Sequence, residues 1–513
     1  VAGDSLGVSR PVTPAKSFGQ GGLVVVLHDF ELTLTVIEDL QEEDPSQLGQ
    51  ALGVTVDAGT VNAGTDTAFG SGSLTVNDGT VNLGTATIGN TVFLNGGTIT
   101  GGTINLATAK TLTAKAGTLA SLITGDGSLS KTDAGTLIIS GDNTGFSGAT
   151  TIAGGTVTLG ANAALGTGAV AVNAGSLDLN GRTIVNGVTV DGGTLTGGSI
   201  AVDKVVAKAG TIAATLTGSA AFVKAIAGDV VLSGANTFTG GATVDAGKVT
   251  LGSSSALGAA TNTLTLSATG TVDLNGRSVT LASLAGTGGV LTNADAVTAA
   301  TVTLAGATDT TFAGVLSGNL GIVKTGAAAL TLTGDNVFTG AVSVTGGTLA
   351  AGSNTALAGA AVTVDGGTLD LTATTGAGIA NLVTLTSGSL TGGKIALSQV
   401  TLVAGTVSTE LTGPAGLAKT ANTVGAKDEV TSVVLTLKHE PGALQGALAA
   451  FSDRGINLIR IESRPSHRRA WEYLFFIDFP GHWDTAAVQA AVTELKGRCE
   501  VVKWLGSYPQ SAG

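Results

Sequence analysis

The sequence predicts a mainly β protein: a parallel β-solenoid over residues 50–419, then a small α+β unit of βαββαβ order over residues 431–509. Three observations predict it. A phrase returns as Gly141-Asp142-Asn143-Thr144-Gly145-Phe146, Ser233-Gly234-Ala235-Asn236-Thr237-Phe238 and Thr333-Gly334-Asp335-Asn336-Val337-Phe338, its Phe residues 92 and 100 positions apart. Between these phrases apolar and small polar residues alternate at period two, and Gly or Asn-Gly ends each run, which is the pattern of short half-buried strands. After residue 430 the texture changes, since all three Trp, both Tyr and three of the four His lie there.

Charge follows the same division. Residues 1–420 hold 26 acidic and 14 basic side chains, and residues 421–513 hold 10 of each, so the net charge of −12 sits on the first part. Phosphate contacts need clustered Lys and Arg, which speaks against a nucleic-acid partner. No run of eighteen apolar residues offers a membrane-spanning helix. A single cysteine, Cys499, rules out an intrachain disulfide or a cysteine metal cluster and reads as a buried thiol.

In chain order, residues 1–49 come first, as an N-terminal segment or solenoid cap. Leu23–Leu27 and Leu32–Ile37 look like strands, and Glu38, Asp39, Glu42, Glu43, Asp44 and Pro45 form an acidic turn. The array follows, with runs such as Gly155-Thr156-Val157-Thr158-Leu159 and Gly367-Thr368-Leu369-Asp370-Leu371. Ala-Leu pairs recur at Ala164-Leu165, Ala256-Leu257 and Ala356-Leu357, and Leu-Asp-Leu-Asn-Gly-Arg at 177–182 returns as Val-Asp-Leu-Asn-Gly-Arg at 272–277. Lys131, Lys224, Lys324 and Lys419 mark the period, spaced 93, 100 and 95. A chain so poor in aromatics and charge buries one apolar stripe per coil by stacking coil on coil. The repeat breaks off inside a unit after Lys419, so residues 420–430 read as a junction between two joined bodies.

These phrases resemble the autotransporter-associated β-strand repeat of bacterial surface-protein passengers. The resemblance covers most of 130–419 and, more weakly, 50–130. It implies a right-handed β-helix that is secreted or displayed at the cell surface. The array offers no catalytic constellation. His28 is the only His before residue 430, leaving no general base for a nucleophile. Gly125-Asp126-Gly127 and Gly286-Thr287-Gly288-Gly289 precede no helix and so are poor phosphate cradles. Asp365-Gly366-Gly367 lacks the spacing of a calcium repeat and reads as a turn. Phe146, Phe238 and Phe338 are expected to stack in the core; a sugar-binding ladder is the weaker alternative.

The C-terminal unit opens with a strand at Val433–Leu437. Pro441-Gly442 starts a helix with Leu444, Ala447, Leu448 and Phe451 at helical spacing, and Asp453-Arg454-Gly455 ends it. Strands follow at Ile456–Ile461 and Trp471–Asp478. Asp484 starts a second helix with Val488, Ala491, Val492 and Leu495 on one face, and Cys499–Leu505 is the last strand. This order is the ferredoxin-like split unit, and residues 510–513 are a tail.

Glu440-Pro441-Gly442-Ala443-Leu444, Ile461-Glu462-Ser463-Arg464-Pro465, Trp471–Phe476 and Leu505-Gly506-Ser507-Tyr508-Pro509 resemble the ACT regulatory domain of prephenate dehydratase. The resemblance implies binding of L-phenylalanine at a homodimer interface, with Gly442, Ala443, Leu444, Glu462, Ser463, Arg464 and Pro465 as contact motifs, and a cytoplasmic setting at odds with that of the repeats. Gln445 stands where an apolar residue is common. Physically, a helix start offers free N–H groups to the ligand carboxylate, Gly442 permits close backbone approach, and Asn457 and Leu458, at the start of the next strand, are placed to hold the amino group and close the pocket. The competing view is that Glu462 and Arg464 merely pair on an exposed strand end. His439, His467 and His482 are scattered, so no metal or other cofactor is expected. The Thr-Arg-Phe signature of the dehydratase catalytic domain occurs nowhere, so neither dehydratase activity nor any catalytic residue is expected. Three functions follow: a phenylalanine-sensing module on a β-solenoid, a surface structural passenger with an accidental ACT end, or a prephenate dehydratase surviving as its regulatory tail.

Overall fold

The computed structural model describes residues 31–34, 53–412, 429–465, 473–483 and 485–509, which fall into two units divided between Thr420 and Ala421. The expected strand at Leu23–Leu27, the acidic run at 38–44, the junction at 420–428, Lys419, Trp471, Asp484 and the tail lie outside these residues.

The first unit is a parallel β-solenoid. A coil shows three short strands in succession, as in Val92–Leu94, Thr98–Thr100 and Thr103–Asn105. Each strand pairs in parallel with its counterpart one coil on. Val61 pairs with Val81, Val81 with Ile99, Ile99 with Leu119, Leu119 with Ile139 and Ile139 with Leu159, and all six are fully buried. Burial of each such side chain contributes about 1.5–3 kcal/mol. That ladder is why period-two alternation suffices here, since every second residue meets its own equivalent above and below. Among the described residues the first strand, Glu31–Leu34, runs parallel to Thr60–Ala63. The helical content among the described residues of this unit is two single turns of 3₁₀ helix, Val202–Lys204 and Leu397–Gln399.

Turns obey their residues. Asn180 and Gly181 have φ of 47° and 76°, and Asn275 and Gly276 have 48° and 74°, the left-handed pair that the Asn-Gly phrase favours. Arg182 N–H closes the first of these turns on Leu179 C=O at 2.8 Å.

Phe146, Phe238 and Phe338 are buried, but Phe238 meets Phe222 of its own covering turn (centroids 6.2 Å apart) rather than the Phe of another repeat. Two series of polar residues lie buried beside them. Asn143 Oδ1 accepts from Ile123 N–H at 2.7 Å and its Nδ2 donates to Ala164 C=O at 2.6 Å. Asn236 repeats this with Leu216 (2.9 Å) and Ala256 (2.7 Å), and Asn336 with Leu316 (2.7 Å) and Ala356 (2.6 Å). Each asparagine thus ties three successive coils. Lys131, Lys224 and Lys324 are also buried. Their Nζ atoms donate to Asp133, Ile226 and Gly326 C=O and, one coil on, to Gly154 (3.1 Å), Ala246 (3.5 Å) and Gly346 (3.4 Å) C=O. Burial pushes each ammonium below its ordinary pKa, opposed by the nearby Asp133, Asp229 and Asp309 carboxylates.

The second unit runs β1 (Glu429–Leu437), α1 (Ala443–Ser452), β2 (Arg460–Pro465), β3 (Tyr473–Pro480), α2 (Ala486–Arg498) and β4 (Cys499–Pro509). The sheet is antiparallel in the order β2-β3-β1-β4. Val433, Leu435, Ile477 and Phe479 of the sheet pack with Ala447, Ala450 and Phe451 of α1 and Val488, Ala491, Val492 and Leu495 of α2. The α2 stripe is the one its spacing predicts. On α1, Ala450 takes the core place expected of Leu444, which is 37% exposed.

Candidate functional site

The residues singled out from sequence gather around two features of the second unit. The first is the start of α1. Gly442 precedes the helix with φ of 86°, a conformation that glycine adopts without a Cβ penalty. A Cβ there would meet nothing within 4 Å, so glycine is required by the backbone angle and not by crowding within the chain. Ala443 N–H reaches Glu440 C=O at 3.3 Å and Gly446 N–H returns to Gly442 C=O at 2.9 Å. Leu444 and Gln445 supply the next first-turn amides, the usual open donors of a helix start. The half-exposed Leu444 side chain stands beside them.

The second feature is β2. It begins at Arg460 and not at Ile456, because Ile456 N–H folds back onto Phe451 C=O (3.0 Å) and the ladder to β3 starts with Arg460 opposite Asp478. Asn457 and Leu458 therefore lie in the α1–β2 connection, not on a strand. Asn457 is exposed, and Leu458 is partly buried against the domain core.

Register then decides which way β2 side chains face. Ile461 lies opposite Ile477, which is buried under the helices, and Glu462 lies opposite Phe476. Side chains opposite one another share a face and successive ones alternate. Glu462 and Arg464 therefore share the helix-free face with Phe476, whereas Ser463 and Pro465 share the helix-bearing face. Glu462 Oε1 accepts from Arg464 Nε at 2.8 Å, and its other oxygen pairs with Arg460. Hydrogen bonds from Arg464 and then Arg460 hold the Glu462 carboxyl below the usual glutamate range. The Arg464 guanidinium sits 5.5 Å from the centre of the Phe476 ring, a cation–π arrangement. So the structure brings together Glu462 and Arg464, adding Arg460 and Phe476. Both additions were legible only once register was known.

Elsewhere in the unit, Glu494 bridges Arg454 of the turn after α1 (2.5 Å) and Arg498 of α2. Trp483 stacks on Trp504 with centroids 5.1 Å apart. Cys499 is buried, and burial raises its thiol pKa. Among the described residues no group of three or more His, Cys, Asp or Glu is placed to hold a metal ion, and no helix is long and apolar enough to cross a membrane.

Comparison with known proteins agrees with this architecture. Residues 431–497 match the ACT domain model, and residues 129–159, 222–251 and 322–351 match the passenger-associated-transport-repeat model. The protein is thus a parallel β-solenoid of passenger-type repeats carrying a C-terminal ACT domain. That ACT domain is similar to the one in prephenate dehydratases. It is 49% identical over 81 residues to a bifunctional chorismate mutase/prephenate dehydratase of Aquifex aeolicus, covering 16% of this chain and 22% of that protein. It is 51% identical over 79 residues to a prephenate dehydratase of Mycobacterium tuberculosis, covering 15% and 25%. Among solved structures, a prephenate dehydratase from Arthrobacter aurescens in complex with L-Phe is 35% identical over 20% of this chain and 31% of that one, with a TM-score of 0.17. The chain spans about a quarter of the length of the curated relatives it matches, and the matched stretch is the ACT part.

Proposed function

We propose that the C-terminal unit is an amino-acid-binding regulatory module that takes L-phenylalanine between two copies of itself, and that the solenoid is a surface-type scaffold to which it is joined. The observation that carries this is the identity of about half over some 80 residues to prephenate dehydratases, confined to the ACT domain. The ligand carboxylate lies at the first-turn amides of α1, where the helix dipole favours a negative charge. Gly442, Ala443 and Leu444 shape that end, and Asn457 receives the ammonium with Leu458 beside it. Glu462, Ser463, Arg464 and Pro465 complete the site. Their side chains alternate between the two faces of the sheet, so a second chain supplies the wall that one chain leaves open. No catalytic step is assigned, because the matched stretch is the regulatory part alone.

All three Trp lie in residues 471–504, so tryptophan fluorescence reports on this unit within the full chain. Ligand at a hundred times its dissociation constant stabilises the bound state by about 2.7 kcal/mol. Thermal melts with millimolar L-phenylalanine are expected to show a raised midpoint, D-phenylalanine no change, and Glu462→Gln a melt unchanged without ligand but with the shift reduced. An L-phenylalanine melt superimposable on the ligand-free one refutes the proposal. The solenoid carries a second reading, a structural passenger whose ACT end senses nothing, supported by the three repeat matches. Superimposable melts with and without L-phenylalanine would favour it. Formation of phenylpyruvate from prephenate would instead restore the enzyme reading.

A further inference from the structure

Four Asn-Gly pairs occur in the chain, at 95–96, 180–181, 186–187 and 275–276. Such a pair is chemically labile, because the glycine nitrogen has no Cβ beside it and can attack the asparagine Cγ to close a five-membered imide. Asparagine is thermolabile in general. In a folded chain the outcome depends on how firmly the amide and the attacking nitrogen are held, and the four pairs are held differently.

Asn180 and Asn275 are fixed by their turns. Both have left-handed backbones, with φ of 47° and 48°. Their Nδ2 atoms donate to main-chain carbonyls of the preceding coil, Leu159 at 3.1 Å and Leu251 at 3.2 Å. Their neighbours are bound as well, Gly181 N–H to Gly197 C=O at 2.5 Å and Gly276 N–H to Asn293 Oδ1 at 2.8 Å. Asn186 is buried, and its Nδ2 is shared among the carbonyls of Leu165, Gly166 and Gly168. Asn95 differs on every count. It is half-buried, and the left-handed residue of its turn is Gly97, at φ of 65°, not Asn95 itself. Gly96 N–H has only the 3.4 Å second arm of a bond to Val76 C=O that Asn95 N–H takes at 2.8 Å, at the weak end of hydrogen bonding. Asn95 Nδ2 donates to another side chain, Asn77 Oδ1, at 2.7 Å.

We propose that Asn95 is a self-modification site, converted within the folded chain to aspartate and isoaspartate. Gly96 N gives its proton to hydroxide and bonds to Asn95 Cγ. The Cγ–Nδ2 bond breaks, and Nδ2 takes a proton from water and leaves as ammonia, which returns the hydroxide. Water then opens the imide. Breaking the bond from nitrogen to Cγ gives aspartate. Breaking the bond from nitrogen to the main-chain carbonyl carbon of residue 95 gives isoaspartate, with the chain running through Cβ and Cγ. Both products act on the coil. Asn77 Nδ2 donates to Asp57 Oδ1 at 2.5 Å, so Asn77 presents its oxygen to position 95 and could turn only by setting that oxygen against the Asp57 carboxylate. A carboxylate at 95 therefore replaces a donor with an acceptor. Isoaspartate also adds a main-chain carbon between Val92–Leu94 and Thr98–Thr100, strands that pair with coils on both sides. The coil opens there.

The test incubates the full chain at mildly alkaline pH and maps its peptides over time by mass spectrometry. Isoaspartate is read with isoaspartyl carboxyl methyltransferase and labelled S-adenosylmethionine. In the folded chain Asn95 is expected to convert at least fivefold faster than Asn180, Asn186 or Asn275, and in denaturant the four rates should converge. Aged protein should be cut by limited proteolysis within residues 92–105, whereas aged Asn95→Gln protein, whose longer side chain closes the ring far more slowly, should not. Three results overturn the proposal: another of the four pairs converting first, one common rate for all four in the folded chain, or an unchanged Asn95 over a time in which the denatured chain converts. Aged wild-type protein no more readily cut at 92–105 than fresh protein would overturn the opening of the coil.

Discussion

Replacing Asn143 by Leu tests the account of the solenoid at its most demanding point. Asn143 is fully buried, and its amide satisfies Ile123 N–H at 2.7 Å and Ala164 C=O at 2.6 Å. Leucine has nearly the same volume, so little cavity opens, but both main-chain groups lose their partner away from water. Each such group costs about 1–3 kcal/mol, giving a destabilisation of about 2–6 kcal/mol. Asn236→Leu and Asn336→Leu break the equivalent pairs and should show equal losses, which makes three internal replicates. Asn173→Leu, at an exposed position, is the control and should stay within about 0.5 kcal/mol. The assay is denaturant unfolding followed by far-ultraviolet circular dichroism. Solenoid coils contact only their neighbours and open locally, so limited proteolysis should place the first cut near the altered coil. A loss below about 1 kcal/mol in all three variants would refute the claim that these side chains replace the missing coil-to-coil bonds.

Three further outcomes are expected. Lys131, Lys224 and Lys324 have pKa values pushed below the ordinary 10.5 by burial, so the unfolded chain binds more protons between the lowered values and 10.5. Stability of the solenoid should therefore rise with pH across that window, and melts at stepped pH should show the rise shrinking in a Lys131→Met, Lys224→Met, Lys324→Met triple variant. Gly442→Ala forces an alanine to a φ of 86° and should destabilise the C-terminal unit by about 1–2 kcal/mol, read by tryptophan fluorescence. Cys499, buried with a raised thiol pKa, should resist a thiol reagent in the folded protein and react at once in denaturant; equal rates would contradict its placement.

Much of this molecule is legible because each of its parts repeats a local rule. Alternation at period two in runs such as 155–159 and 367–371 marked half-buried strands without knowledge of the sheet, and Val157, Leu159, Leu369 and Leu371 are their buried residues, since in a stack of coils the inward direction is the same for every coil. The Asn-Gly phrases named their own left-handed turns, and Val488, Ala491, Val492 and Leu495 named the buried face of α2. Charge marked the period without stating its environment. Lys131, Lys224 and Lys324 recur in the sequence as markers of the repeat, and only the structure shows their ammonium groups inside, held by carbonyls of turns a coil apart in space and about 22 residues apart in sequence. Apolarity misled at Ile456–Ile459, which reads as a strand but serves as the connection into β2.

From the sequence alone come the two bodies, the coil-stacking class of the first, the βαββαβ order of the second, and the four phrases that resemble the ACT domain. Those are properties of periodicity and of neighbouring residues along one chain. Which asparagines bridge coils, which lysines are buried, and that Glu462 meets Arg460, Arg464 and Phe476 were decided only in three dimensions. Each depends on strand register, which no stretch of sequence states locally and which a shift of one residue would reverse.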